Sequence, residues 1–280
     1  MSEDDRERIR KQTESDRFNS RGIEAADRKW FDEAVRAFKR AIELDPESAH
    51  AHDNLATVYT EQGEYLFALR EYLEAIRLEP ESPTAHYNLA CLLSSRGLEL
   101  AISEYQAAIR LEHDYPDAHV NLGLCYVDLG EHQKALEEFR IACELDPNDL
   151  GARQELAASL IDIGEYAEAI RHLRDVMKKE PQNLDAAIDL GIAFSAQGFY
   201  TESEQSFLTA TKIDPNEVLG HYHLAGLYSV WGKKTEALSA LRHAMQLDPE
   251  RVRVLVETDR MFDPLRAELD LRDPIEPPQQ

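Results

Sequence analysis

The chain has 280 residues, 43% of them hydrophobic, enough to bury a substantial core, so disorder is excluded as the default state. It carries 54 acidic residues against 31 Lys and Arg, a formal charge of −23, which excludes sequence-independent nucleic-acid binding and docking on anionic membrane, since both need a basic footprint. No apolar run approaches the roughly 18 residues of a membrane span, MSEDDRERIRKQ has no apolar signal core, and Cys91, Cys125 and Cys143 read as reduced thiols, so a cytoplasmic protein is expected.

In chain order, residues 1–14 form a charged extension that is expected to fray or be disordered. The phrase AIELDP then appears at residues 41–46 and returns as AIRLEP, AIRLEH, ACELDP, VMKKEP, ATKIDP and AMQLDP, at intervals of 34, 33, 34, 34, 34 and 34 residues. A fixed interval of this length marks a repeat array rather than one large domain. Seven units follow, at about 15–48, 49–82, 83–115, 116–149, 150–183, 184–217 and 218–251.

Within each unit the apolar residues fall 3 and 4 apart, the spacing of helix faces. Residue 8 of the units is always small: Gly22, Ala56, Ala90, Gly123, Ala157, Gly191 and Ala225. So is residue 20: Ala34, Ala68, Ala101, Ala135, Ala169, Ser203 and Ala237. Large groups recur at Phe38, Tyr72, Tyr105, Phe139, Leu173, Phe207 and Leu241. Between the two helical runs stands Gly63, Gly97, Gly130, Gly164, Gly198 or Gly232, where a first helix should end in the left-handed conformation. The second helix should stop at the recurring Asp-Pro or Glu-Pro, because proline cannot extend it. Each unit is therefore expected to be helix, glycine turn, helix, proline stop. Unit three has lost one residue between Gly97 and Ala101 and carries His113 in place of its proline.

These small, large and proline positions resemble the tetratricopeptide repeat, in seven in-phase copies over residues 15–249. The resemblance implies an all-α fold, a right-handed α-solenoid of seven helix-turn-helix units. Residue 4 departs from the family's aromatic choice, with His52, His86, His119 and His221 in four units. Residues 250–272 read as a capping segment, apolar at Val252, Leu255 and Val256, with Asp259 where a small packing residue is expected; residues 273–280 read as a flexible tail.

No catalytic motif is present: no dinucleotide or phosphate-loop glycine pattern, no His-Glu-x-x-His, no Gly-x-Ser-x-Gly. The pairs His50/His52 and His221/His223 are two apart, which points them roughly 200° around a helix, so they cannot share a metal ion. Seven helix pairs consume nearly the whole chain. The expectation is a non-enzymatic protein without cofactor or metal.

Function should then lie on a surface. The resemblance places residues 2, 5, 6, 9, 12 and 13 of each unit in a concave groove. Residue 6 reads Asn54, Asn88 and Asn121 in units two to four, a ladder of amides suited to an extended peptide backbone. Beside it lie Tyr87, Cys91, Val120, Leu124 and Val127, an apolar patch. The inward positions hold ten acids, among them Asp128, Glu155, Asp162 and Asp189, and no Lys or Arg. The basic clamp with which one subgroup of the family grips chaperone C-terminal carboxylates is thus missing. The leading expectation is a monomeric interaction scaffold that holds an extended Lys/Arg-bearing segment of a partner protein. The alternatives are a self-assembling structural solenoid and a non-catalytic subunit of an enzyme complex.

Overall fold

Helix–turn–helix pairs make up nearly all of the computed structural model, which describes residues 3–266 and has no strand among them. Two compact units divide at Pro147/Asn148. The first holds α1 (Glu3–Asp27), α2 (Phe31–Leu44), α3 (Ala49–Glu61), α4 (Tyr65–Leu78), α5 (Pro83–Leu93), α6 (Leu98–Leu111), α7 (Pro116–Asp128) and α8 (His132–Leu145). The second holds α9 (Leu150–Asp162), α10 (Tyr166–Lys179), α11 (Leu184–Ala196), α12 (Tyr200–Ile213), α13 (Val218–Trp231), α14 (Lys234–Leu247), α15 (Pro249–Thr258) and a 3₁₀ turn, Arg260–Leu265.

Local chemistry explains where the helices start and stop. Five of the odd-numbered helices are capped alike: Ser48, Ser82, Asp149, Asn183 and Asp248 accept from the backbone N–H three residues on. At the far end, Gly63, Gly130, Gly164, Gly198 and Gly232 adopt φ between 72° and 85°, where a side chain is strained. Gly97 departs from the expectation. Its φ of −164° is ordinary extended backbone, and it stands directly before α6. The missing residue of unit three shortens α5 to 11 residues and removes the left-handed step altogether. Lys29, at φ 60°, takes that step in the first repeat, which has no glycine at its turn. The proline stop also proves dispensable. At Glu112, before His113, the backbone turns to φ −135°, ψ 102°, close to the φ −122°, ψ 92° of Asp146 before Pro147.

The charged head is not frayed where it is described. α1 continues back to Glu3, with acids in its first turn and a Lys11–Glu7 pair at 3.1 Å, both favourable to an isolated helix. Residues 3–14 are all exposed, and burial begins at Ser15, whose hydroxyl donates to the Ala41 carbonyl at 2.9 Å.

Packing inside each pair follows one rule. Where residue 8 is glycine, a phenylalanine from the second helix lies on it: Phe38 on Gly22, Phe139 on Gly123, Phe207 on Gly191. A Cβ at any of the three would come within 2.4–2.7 Å of the ring. Where residue 8 is alanine, the equivalent position of the second helix holds Tyr72, Tyr105, Leu173 or Leu241, all buried. The two tyrosines reach past the alanine: the hydroxyl of Tyr72 lies 3.1 Å from Thr57 Oγ1, and that of Tyr105 donates to Cys91 Sγ at 3.3 Å. Ser203, the exception at residue 20, donates to the Gly191 carbonyl at 2.7 Å and so adds a polar link between α11 and α12.

At the C-terminal end, Val252 and Val256 of α15 are fully buried against Leu241, Ala244 and Met245, with Leu255 partly buried. The chain then turns at Asp259, and Phe262 and Leu265 complete the same cluster. Asp259 stands where packing led us to expect a small residue because it ends one helix and starts another. Its Oδ1 accepts from Met261 N at 2.8 Å, and its Oδ2 from the Tyr222 hydroxyl at 2.6 Å. The segment read as a tail, residues 273–280, lies outside the described residues, as does the end of the cap from residue 267.

Candidate functional site: the face of the first helices

Successive first helices of the pairs touch: α1 with α3 and α3 with α5 in the first unit, α9 with α11 and α11 with α13 in the second. Their inward positions carry the candidate residues.

In the first unit the three asparagines work as staples between repeats. Asn54 Nδ2 donates to Asn19 Oδ1 at 3.1 Å, Asn88 Nδ2 to the Asp53 carboxylate at 3.0 and 3.2 Å, and Asn121 Nδ2 to the Tyr87 hydroxyl at 3.0 Å. In each case residue 6 of one repeat holds residue 5 of the repeat before. Asn121 also donates to the Asp117 carbonyl, so its amide hydrogens are both engaged within the protein. The ladder therefore does structural work that the sequence did not show. Burial pushes the Asp53 carboxyl up, against the lowering effect of the Asn88 hydrogen bond.

The apolar patch divides. Tyr87 is half-buried, its ring stacked on Tyr115 at 4.9 Å and edge-on to Tyr105 at 5.8 Å. Leu124 and Cys91 are exposed, and Val120 and Val127 half-buried. Asp128, one turn beyond Leu124, is exposed.

In the second unit Glu155, Asp162, Asp185 and Asp189 gather on α9 and α11. Burial, then the charges of Asp185, Glu155 and Asp162, push the Asp189 carboxyl up to about 7. Glu155 is pushed up too, by burial and by Asp185. Among the described residues no Lys or Arg pairs with Asp189.

The repeat pattern matches known families. Profiles described as TPR repeat and tetratricopeptide repeat match residues 26–63 and 56–95, 160–225 and 220–251, together more than half of the chain. The chain belongs to the tetratricopeptide-repeat family. Residues 101–176 also match the profile of subunit 3 of the anaphase-promoting complex, or cyclosome. No curated protein matches the chain. Among solved structures, it is similar to YrrB, a TPR protein with an unusual peptide-binding site, at 26% identity over 66% of this chain and 96% of that one, TM-score 0.61. It also resembles the C-terminal part of a repeat protein from Cytophaga hutchinsonii (18% identity, 87% and 98% coverage, TM-score 0.66). A third is MamA from Desulfovibrio magneticus (24%, 60% and 96%, TM-score 0.57). At those identities the last two show the fold alone.

The tetratricopeptide frame accounts for the histidines. Nδ1 of His52, His86 and His119 lies 2.7, 2.6 and 2.7 Å from Glu71, Glu104 and Glu138, each on the second helix of the same repeat. The family's aromatic position here carries a polar tie between the paired helices. Net, the His52 and Arg70 hydrogen bonds hold Glu71 below the usual carboxylate range, although burial opposes them. His221 lies against His243, ring centroids 4.2 Å apart and the planes tilted by 43°, and His223 lies nearly parallel to Phe207 at 5.6 Å. Among the described residues no three His, Cys, Asp or Glu side chains converge as a metal set. No described helix is long and apolar enough to cross a membrane. Cys125 is buried, which pushes its thiol up to about 11 and leaves it unreactive.

Proposed function

We propose that this tetratricopeptide-repeat protein is a non-enzymatic scaffold that holds an extended, Lys/Arg-bearing segment of a partner protein on the face of its first helices. One observation carries the proposal: four carboxylates, Glu155, Asp162, Asp185 and Asp189, share one face without a basic residue at any inward position, and burial together with the other three charges pushes the Asp189 carboxyl up. A like-charge cluster of this kind lowers the stability of the free protein and is relieved by an incoming cation, so it favours binding over folding. Similarity to a peptide-binding relative supports a peptide as ligand. In the first unit Asn54, Asn88 and Asn121 each donate from the side-chain amide to the preceding repeat, and in this reading their amide oxygens accept from a peptide backbone. Tyr87, Val120 and Leu124 supply apolar contact beside them, and Asp128 supplies charge.

Affinity capture from native lysate with mass spectrometry identifies the segment, and calorimetry then compares the wild-type chain with an Asp128→Lys/Asp162→Lys variant. The expected result is loss of most of the affinity in the variant. Equal affinities for the two proteins would remove the acidic face from the mechanism.

A further inference from the structure

The acidic face of α11 ends at a cavity. Asp185, Asp189, Ile192 and Ala196 follow one another at four-, three- and four-residue steps and so share one side of the helix. The N-terminal half of that stripe is anionic, and the C-terminal half is apolar. Beyond Ile192 opens a cavity of about 340 Å³, lined by Tyr200, Phe207, His223, Val230 and Met261. Its size lies at the lower end of the ~300–1,000 Å³ of small-ligand sites, room for one large side chain rather than a whole cofactor.

Three features keep the cavity apolar and open. Burial holds the imidazole of His223 down at about 4, so it is neutral at physiological pH and adds no charge to the wall. Its ring lies flat on Phe207, which in turn lies on Gly191. The fourth wall comes from Met261 in the 3₁₀ turn, which Asp259 starts and Tyr222 anchors. Gly226 keeps room for it, since a Cβ there would come within 2.9 Å of the Met261 methyl. The capping turn therefore shapes the inward face as well as closing the core.

We propose that this cavity takes a large apolar side chain of the partner segment, and that the lysine or arginine two residues along the segment meets Asp189. The proposal rests on the acidic-face reading above and narrows its partner. The helix rises ~1.5 Å per residue, which puts Asp189 about 4.5 Å and Asp185 about 10.5 Å from Ile192 along the axis. An extended segment advances ~6.8 Å every two residues, with both side chains on the same side. An apolar residue in the cavity, which opens beyond Ile192, sets bases two and four residues away, ~6.8 and ~13.6 Å along, within a long side chain's reach of Asp189 and Asp185. The fitting pattern is apolar-x-basic-x-basic, in either direction. The chain's own residues 267–280 fit poorly, with four acids against one base.

Trp231 supplies the readout: its ring lies 5.7 Å from that of Tyr200, which lines the cavity, and Trp30 is the other tryptophan of the chain. In a full-length Trp30→Phe chain, Trp231 fluorescence and calorimetry follow three capped peptides, Gly-Phe-Gly-Lys-Gly-Lys-Gly, its Phe→Ala form and its Lys→Glu form. The first is expected to bind about tenfold or more tightly than the alanine form, the value of burying one aromatic side chain. Ala196→Phe, from an exposed position at the cavity mouth, should abolish that difference while leaving the alanine peptide unchanged. Equal binding of the phenylalanine and alanine peptides overturns the cavity as anchor and leaves the acidic reading standing. Equal binding of the lysine and glutamate peptides overturns the acidic reading, and the paired pattern with it. Failure of all three to bind overturns both. A tenfold gain for the phenylalanine peptide on deleting residues 267–280 would assign the cavity to the chain's own tail and overturn the proposal.

Discussion

A glycine and an alanine solve the same problem differently at residue 8 of the repeats, and the difference is set across the helix pair. Gly123 receives the Phe139 ring, since a Cβ there would lie 2.7 Å from it, whereas the repeat of Ala157 carries the smaller Leu173 at the equivalent position. Gly123→Ala should therefore cost about 1–3 kcal/mol from overpacking, less the ~1 kcal/mol gained in helix propensity. Phe139→Leu alone should also destabilise, by leaving space over the glycine. The double variant recreates the Ala157–Leu173 solution and is expected to return close to wild type in chemical denaturation. Additive losses would break the assigned pairing. Asp189 shows a functional counterpart at the same scale. Its folded value of about 7 lies above the ordinary carboxylate range, so between the two the folded chain keeps a proton that the unfolded chain has lost. Stability contributed by this group is therefore present at acid pH, falls as pH rises, and is lost above about 7. Asp189→Asn should raise stability at pH 8 by about 1–2 kcal/mol, allowing for partial solvent access, and do little at pH 5. A bound lysine acts in the opposite sense. It favours the ionised carboxylate, so binding should tighten between pH 6 and 8, and a flat profile would detach Asp189 from the ligand.

Among the elements, the C-terminal cap has two tasks that the linear chain keeps apart. α15 closes the core with Val252 and Val256, and the 3₁₀ turn adds Phe262 and Leu265. Asp259 joins them by accepting from Met261 N and from Tyr222. Asp259→Ala removes an N-cap and leaves a buried phenol without its acceptor, a loss of about 1–2 kcal/mol. Because repeat arrays open locally, the effect should appear first as faster amide exchange at residues 252–262, with residues 49–61 unaffected. Uniform exchange across both segments would contradict a local role. Deleting residues 250–280 should go further, exposing Leu241 and Met245 and causing association in light scattering; a chain that stays monomeric and equally soluble would show that the cap is not needed to cover that face.

For the whole molecule the controlling quantity is the formal charge of −23. Net charge of that size opposes self-association and attracts basic segments from a distance. Screening shortens that reach from ~30 Å at 0.01 M salt to ~8 Å at 0.15 M. Affinity for a Lys/Arg-bearing segment is thus expected to fall several-fold over that range, driven mostly by the association rate. Salt-independent binding would point to the apolar contacts alone.

Much of this protein was legible in its sequence because a solenoid repeats short-range rules. Spacings of 3 and 4 residues make the helix faces, and the small residues 8 and 20 allow the close approach of each pair. Five of the six turn glycines adopt the left-handed conformation that their position implies. These features need only neighbours within one unit. Gly97 departs from them because a single deletion changed which backbone torsion the turn requires, while the residue type stayed the same. The tertiary structure alone decided the contacts between units. Asn54, Asn88 and Asn121 look like free groove amides, yet their partners Asn19, Asp53 and Tyr87 lie 34 or 35 residues back. The cavity beside Ile192 was equally hidden, since its walls come from two repeats and the cap. Periodicity specifies which face of a helix is inward; which atoms meet there depends on the register between repeats and on individual rotamers, and these exist only once the helices have stacked.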